Sequence, residues 1–209
     1  MNKLTETKNW LQWMDEIADK NYVIIDDFFS NKEYKIVRSY FIHKLHLFTP
    51  AGVGALNNNT IREDIRGDYT FWLDKERDIE LKNFWDIIEE TMLIFNRYCF
   101  LGLSGYEFHF ANYPPGGHYT RHLDQFKKRN NRTISFVLYL NENWQKGDGG
   151  ELEIFKEDES SLLVEPIGAR LVMFRSDLAT HAVLKSNKNR YSLTGWLLQT
   201  PSPLGQFLG

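Results

Sequence analysis

Residues 113–124 read Tyr113-Pro-Pro-Gly-Gly-His-Tyr-Thr-Arg-His-Leu-Asp124, a run in which a turn leads into a strand. The Pro-Gly cluster is typical of the turn, and the residues after it have the composition of the strand. Successive side chains of a strand point to opposite faces, so His122 and Asp124 should share one face. An imidazole and a carboxylate placed in this way are two ligands for one metal ion.

The composition excludes several classes of protein. Of the 209 residues, 42% are hydrophobic and 25% are charged, which is ordinary for a globular protein. The formal charge of −3 provides no basic field, so we expect no nucleic-acid partner. No run approaches the roughly 18 apolar residues of a membrane span, and the single cysteine, Cys99, excludes an internal disulfide. We therefore expect one cytoplasmic domain over residues 1–209, without a membrane partner.

The first half of the chain is predicted to be mainly helical. Trp10, Trp13 and Ile17 recur at helical spacing and predict a helix that ends before residue 21. Ser30, followed by Glu33, predicts a capping box at the start of a second helix. The longest helix is predicted where apolar residues repeat at Leu81, Phe84, Trp85, Ile88, Met92 and Phe95. Between the helices we expect β segments at 22–25 and 65–72 and a mobile loop at 49–63.

From residue 106 onward the sequence changes to short β-rich runs separated by turn residues. The eight runs are 106–113, 119–124, 133–140, 151–155, 162–165, 170–174, 181–184 and 191–198. Runs at this spacing predict a sandwich or barrel of the jelly-roll kind. The expected fold is mostly β with flanking α-helices, with a helical part at about 1–104 and a β core at about 105–200.

A third metal ligand is expected from the late strands. His181 is the histidine of that region, because the others lie in the helical part or before the pair of His122 and Asp124. Two histidines and one carboxylate form the facial arrangement of non-haem Fe(II) oxygenases, which leaves coordination positions open. Arg190 follows nine residues after His181 and could bind the carboxylate of an acidic cosubstrate with two hydrogen bonds.

This ordered pattern of His-x-Asp, a distant His and an Arg nine residues later resembles the Fe(II)- and 2-oxoglutarate-dependent dioxygenases. More narrowly, it resembles their prolyl hydroxylase branch, both the oxygen-sensing enzymes and their short bacterial relatives. The resemblance covers most of the chain and extends over 22–29, 65–68, 113–117, 119–124, 139–141, 149–150 and 190–196. It implies a double-stranded β-helix of the cupin-like type, with Fe(II), 2-oxoglutarate and O2 as cofactors, and ascorbate as a candidate reductant.

The resemblance also implies roles for individual residues. His122, Asp124 and His181 would bind Fe(II), and Arg190 would pair with the distal carboxylate of 2-oxoglutarate. The reaction would release succinate and CO2 and return a hydroxyl group to the substrate.

Four further residues are candidates for the pocket. By the same resemblance, Tyr139 would donate its hydroxyl to the distal carboxylate, and Thr194 is a weaker candidate beside it. Tyr139 could instead be a core residue. Trp196 is either a packed ring or a pocket wall, and Tyr113 is either a pocket residue or part of a plain turn.

The substrate implied by the resemblance is a protein that carries a target proline, and the short bacterial relatives suggest a translation factor such as elongation factor Tu. We expect a loop at 125–132 to lie at the pocket mouth, held by a salt bridge from Arg132 to Asp68. Two alternatives stay open. The same iron site could hydroxylate a free amino acid or another small molecule, or the chain could be a non-catalytic cupin-like metal-binding sensor domain.

Overall fold

The computed structural model describes residues 7–52, 62, 64–125 and 130–199 of the chain. These residues form three α-helices, which are α1 Thr7–Lys20, α2 Asn31–Lys44 and α3 Lys82–Cys99. Short 3-10 turns lie at Leu45–Leu47 and Ile79–Leu81. The predicted capping box is present, because the Ser30 side chain accepts from the Glu33 N–H and the Glu33 carboxylate accepts from the Ser30 N–H. All three predicted helices are therefore confirmed.

Eleven strands are present in the described residues. They are β1 Tyr22–Ile25, β2 Thr49–Pro50, β3 Tyr69–Trp72, β4 Leu103–Tyr113, β5 Tyr119–His122, β6 Arg132–Tyr139, β7 Leu152–Phe155, β8 Ser161–Val164, β9 Leu171–Arg175, β10 His181–Val183 and β11 Arg190–Gln199. All eight runs predicted after residue 106 are strands, β4 to β11. The strand before Asp124 ends two residues earlier than expected, at His122.

The strands form two antiparallel sheets. The larger sheet has the order β1-β9-β6-β11-β4-β3-β2, and the smaller has the order β5-β10-β7-β8. Two facing sheets with this chain order make the jelly roll, or double-stranded β-helix, that was expected. The sequence was divided near residue 104 into a helical part and a β core. The larger sheet includes strands from both parts, because β1, β2 and β3 precede residue 104.

The two faces of the larger sheet have different partners. On the outer face, Trp10 of α1, Phe84 of α3 and Phe136 of β6 belong to one buried cluster. On the inner face, Val137 of β6 packs with Ile154 of β7 and other residues of the smaller sheet. The helices thus cover the outside of the sheet and leave its inner face for a site between the two sheets.

Strand β11 shows how the sequence divides between these faces. Leu193 and Leu197 point into the cluster beneath the helices. Arg190, Thr194 and Trp196 alternate with them and line a cavity between the sheets. Because side chains alternate along a strand, every second residue of this part of β11 faces the same cavity.

Two predicted loops fall partly outside the described residues. Most of the loop at 49–63 and part of the loop at 125–132 lie there. None of the helices in the described residues is both long enough and apolar enough to span a bilayer.

Candidate active site

The three predicted metal ligands meet in the cavity between the sheets. The Asp124 Oδ1 atom lies 3.6 Å from His122 Nε2 and 3.8 Å from His181 Nε2. The candidate ligand atoms of the three residues all lie within 4.8 Å of one another. The strand pairing accounts for this convergence, because β10 sets His181 directly opposite His122 of β5.

Both histidines are held in the tautomer that a metal site requires. His122 Nδ1 lies 2.7 Å from the carbonyl oxygen of Thr120, and His181 Nδ1 lies 2.9 Å from that of Ala179. A carbonyl oxygen only accepts, so each Nδ1 carries the proton and donates it. In a neutral ring the lone pair is then on Nε2, the nitrogen that faces Asp124, as in histidines that ligate metals.

The electrostatic state of the cluster also fits a divalent cation. Burial alone would raise the pKa of the Asp124 carboxyl, but His181, His122 and the Ser135 hydroxyl together hold this pKa well below its usual value. Burial lowers the pKa of His181 to about 4. At neutral pH the site therefore offers an ionised carboxylate beside a neutral imidazole of His181, a donor set that suits Fe(II).

Arg190 lines the same cavity and is only 1% exposed. Its Nε donates to the carbonyl oxygen of Gly150 at 2.8 Å, a bond that does not use the two terminal nitrogens. The guanidinium carbon lies 5.0 Å from the ring centres of both Tyr113 and Tyr139. Among the described residues, no carboxylate lies within ion-pair distance of this guanidinium. A buried cation without an anion suits an anionic cosubstrate.

Tyr139 lies beside Arg190, in the buried cluster between the two sheets rather than among the residues that line the cavity. Its buried hydroxyl has no hydrogen-bond partner among the described residues. Burial raises the pKa of Tyr139 and of Tyr113, so both hydroxyls stay protonated at neutral pH. A buried donor without an acceptor is unfavourable until an acceptor binds. Arg190 and Tyr139 thus offer a cation and a hydroxyl donor close together.

Gly150 makes room for the guanidinium. Its φ of +69° is a left-handed conformation that glycine adopts without strain. A Cβ atom at this position would lie 3.0 Å from Arg190 Cδ and 3.1 Å from Ser186 Oγ. Glycine at this position therefore lets the Arg190 side chain pack against the backbone of Gly150, whose carbonyl oxygen accepts the hydrogen bond from Arg190 Nε.

Thr194 and Trp196 lie further along β11, in the same cavity. The Thr194 Oγ1 atom is 3.2 Å from Ser192 Oγ. Trp196 is 5% exposed and lines the cavity, and its Nε1 has no hydrogen-bond partner among the described residues. Trp196 could have been a packed ring or part of the pocket wall, and in the structure it lines the cavity. Tyr113 lines the cavity as well.

Arg132 and Asp68 do not pair with each other, so the predicted salt bridge is wrong. Asp68 instead binds Arg66, with Nε to Oδ1 at 2.5 Å and a second bond at 2.9 Å. Arg132 binds Glu107 of β4 at 2.7 Å and lies 3.4 Å above the ring of Trp196. Asp68 reaches Arg66 because the two residues are only two positions apart in the chain. Arg132 begins β6 and faces Glu107 of β4 across the strand between them, β11.

His109 is one of the cavity residues that were not predicted from the sequence. His109 is 2% exposed, lines the cavity, and has an Nδ1 without a hydrogen-bond partner in the described part of the chain. Its ring contacts both Trp72, at 4.8 Å, and Trp196, at 5.5 Å, and these two rings also contact each other. Burial and the positive charges of Arg66 and Arg132 keep the pKa of His109 well below its usual value. The alternation of His109, Ala111 and Tyr113 on β4 was the available signal.

The cavity as a whole has a volume of about 290 Å³. The three metal ligands and the Arg190 site share it. The aromatic wall of Trp72, His109 and Trp196 lines it as well. This arrangement has room for a metal, an anionic cosubstrate and part of a third molecule.

Comparison with known proteins agrees with this chemistry. The 2OG-Fe(II) oxygenase superfamily profile matches residues 108–198, which include all three metal ligands and Arg190. A curated relative, the hypoxia-inducible factor prolyl hydroxylase of Caenorhabditis elegans, is 26% identical over 191 residues, or 85% of this chain. The chain spans about a quarter of the length of that relative, 26%.

Solved structures give a similar result. A prolyl-4-hydroxylase from Pseudomonas putida is 34% identical, with a TM-score of 0.82 over 90% of this chain and 98% of the other. A Trichoplax adhaerens prolyl hydroxylase in complex with a peptide fragment of the hypoxia-inducible factor oxygen degradation domain is 24% identical. It shares the fold, with a TM-score of 0.79 over 94% of this chain and 96% of the other. The chain therefore belongs to the prolyl hydroxylase branch of the 2OG-Fe(II) oxygenase superfamily.

Proposed function

We propose that this protein is a Fe(II)- and 2-oxoglutarate-dependent dioxygenase that hydroxylates a prolyl residue in a protein substrate. One observation carries the proposal: the convergence of His122, Asp124 and His181 within 4.8 Å, in a cavity that also holds Arg190. Two imidazoles and a carboxylate on one side of a metal leave the other side open for a cosubstrate and O2.

Each residue has a task that follows from its position. His122, Asp124 and His181 would hold Fe(II), with the Nε2 atoms of both histidines facing Asp124. Arg190 and Tyr139 would bind the distal carboxylate of 2-oxoglutarate, and their burial would exclude water from it. The chemistry that bound iron supplies is the oxidative decarboxylation of 2-oxoglutarate by O2, which yields succinate and CO2 and leaves one oxygen atom for the substrate.

The aromatic wall supports a prolyl substrate. A proline ring is apolar and compact, and the rings of Trp72, His109 and Trp196 offer it a stacked apolar surface. The unpartnered Nε1 of Trp196 could donate to a peptide carbonyl beside that ring. The names of the relatives point the same way, since each names a prolyl hydroxylase and one structure contains a peptide.

The enzyme class is tested with purified protein, Fe(II), 2-oxoglutarate and air, with ascorbate as the reductant. We expect succinate to form and its yield to rise on addition of a cell extract. The matched control is His181→Ala, which removes one metal ligand. No succinate from the wild type with any extract, together with an unchanged biological activity of His181→Ala, would leave the non-catalytic sensor as the better alternative.

The substrate class is tested in a lysate of cells that lack this protein. Purified wild type or His181→Ala is added, and the digested proteins are searched by mass spectrometry for proline residues that have gained one oxygen atom. We expect such a peptide only with the wild type, and a translation factor is the first protein to inspect. Oxidation of a free amino acid, without any oxidised protein, would instead favour the small-molecule alternative.

Two further expectations belong with this proposal. We propose that residues 1–209 act as one dioxygenase domain, which is supported by the contribution of β1, β2 and β3 to the sheet that carries the site. We also propose a cytoplasmic location, since a chain with one cysteine needs no oxidising compartment.

A further inference from the structure

A pair of buried hydroxyl groups lies behind the metal carboxylate. Ser135 Oγ donates to Asp124 Oδ2 at 2.6 Å and lies 2.9 Å from Ser176 Oγ. Both serines are 0% exposed. A serine hydroxyl has one proton, and that of Ser135 is used by the carboxylate, so Ser176 is the donor in the second bond. The chain of donation therefore runs from Ser176 to Ser135 to Asp124.

This chain makes the two oxygens of Asp124 unequal. Oδ1 faces the Nε2 atoms of His122 and His181, at 3.6 Å and 3.8 Å. Oδ2 is held by a hydrogen bond to the Ser135 hydroxyl, which is of the strong kind because the acceptor is ionised. Rotation of the carboxylate to offer both oxygens to a metal would lengthen this bond. The serine thus selects Oδ1 as the single ligand atom.

Ser176 connects this bond to the segments that carry the other ligands. Its carbonyl oxygen accepts from the N–H of Gln125, the residue after Asp124, at 3.2 Å. The Ser176 N–H donates to the carbonyl oxygen of Thr133 in β6 at 3.1 Å. Ser176 also begins the turn that leads into β10 and His181. One residue therefore contacts the strand behind the site and both ligand-bearing segments.

We propose that Ser135 and Ser176 are positioning residues of the iron site. Ser135 orients the Asp124 carboxylate for binding through one oxygen, and Ser176 orients the Ser135 hydroxyl so that its proton points to that carboxylate. The inference rests on the proposed function, because it takes His122, Asp124 and His181 as the metal ligands. Partners of ligating side chains commonly change metal affinity by about 10- to 100-fold, so the effect is measurable without substrate.

The experiment measures Co(II) binding to the metal-free full-length protein, by titration of its visible absorption and by calorimetry. We expect Ser135→Ala to weaken Co(II) binding by about 10- to 100-fold and to alter the absorption spectrum. Ser176→Ala should weaken it less, because the Ser135 donor remains. Ser135→Thr keeps the hydroxyl and should retain most of the affinity.

The matched control is Thr91→Val, which also deletes a fully buried hydroxyl but lies in α3, where that hydroxyl donates to the Ile87 carbonyl oxygen at 2.7 Å. It should leave Co(II) affinity unchanged. Unfolding midpoints of all variants separate a loss of folded protein from a loss of affinity.

The double variant Ser135→Ala with Ser176→Ala decides whether the second serine acts through the first. If it does, the double variant binds Co(II) as Ser135→Ala does, whereas additive losses would contradict the relay. Wild-type Co(II) binding together with an unchanged affinity of folded Ser135→Ala would overturn the inference alone. A wild type that does not bind Co(II) would overturn the proposed iron site and the inference with it.

Discussion

The guanidinium carbon of Arg190 lies 5.0 Å from the ring of Tyr139, whose buried hydroxyl has no partner among the described residues. A cation and a hydroxyl donor thus lie close together, and the described residues place no anion with them. We expect both groups to contribute to the binding of an acidic cosubstrate.

Tyr139→Phe should therefore weaken 2-oxoglutarate binding by about 10- to 100-fold, since a hydrogen bond to a charged group contributes about 1.5–3 kcal/mol. The stability of the protein without 2-oxoglutarate should change by less than about 0.5 kcal/mol, because the hydroxyl has no partner to lose. Calorimetric titration with 2-oxoglutarate and urea unfolding measure the two quantities.

Tyr34→Phe is the matched control for this prediction. The Tyr34 hydroxyl donates to the Asn141 carbonyl oxygen at 2.9 Å, so its loss should cost about 1 kcal/mol of stability and leave 2-oxoglutarate affinity unchanged. The predicted role of Tyr139 is wrong if its variant binds 2-oxoglutarate as tightly as the wild type.

Metal should stabilise the wild type but not His181→Ala. A ligand at 100 times its Kd stabilises the folded state by about 2.7 kcal/mol, which raises the unfolding midpoint measurably. Thermal unfolding with and without Co(II) is the measurement. His118→Ala is the control, because His118 precedes β5 and contacts the Asp64 carbonyl oxygen, away from the ligand cluster. Equal losses of the Co(II) effect in both variants would contradict the assignment of His181.

His109→Phe should raise the KM for a prolyl peptide by about 10-fold while the KM for 2-oxoglutarate stays unchanged. Phenylalanine keeps an aromatic ring in contact with Trp72 and Trp196 but removes both ring nitrogens. The peptide found in the lysate experiment is the substrate for this measurement. An unchanged peptide KM would mean that His109 only packs against its neighbours.

The ion pair of Arg132 and Glu107 should appear in a double-mutant cycle. Arg132→Gln and Glu107→Gln should show a coupling energy of about 0.5–3 kcal/mol in urea unfolding, because both side chains are largely buried. Arg132→Gln and Asp68→Asn should instead add to within about 0.5 kcal/mol, since Asp68 pairs with Arg66. Coupling between Arg132 and Asp68, with additive effects for Arg132 and Glu107, would instead support a salt bridge between Asp68 and Arg132.

Ser30→Ala should destabilise the protein by about 1 kcal/mol through loss of the helix cap at the start of α2. Ser161→Ala is the control. The Ser161 hydroxyl donates to Glu153, as the Ser30 hydroxyl donates to Glu33, but Ser161 lies at an exposed position in a strand. The loss of stability in Ser161→Ala should therefore stay within about 0.5 kcal/mol. Urea unfolding measures both. Equal effects of the two substitutions would contradict the capping argument.

Local pattern in the sequence determined much of the fold. The three helices and the eight late strands follow from hydrophobic spacing, and the capping box at Ser30 and Glu33 follows from two residues three apart. These features depend on neighbours along the chain, so the sequence contains the information directly. The order of His122, Asp124, His181 and Arg190 also predicted that these side chains would share one cavity.

Only the tertiary structure decided the contacts between residues that are distant in sequence. Arg132 pairs with Glu107 rather than Asp68, and Ser135 meets Ser176, because strand register sets which side chains face each other. The sequence contains several possible partners of each charge and no measure of their distance. It therefore determined the kind of site, whereas the pairing of the sheets decided how that site is supported.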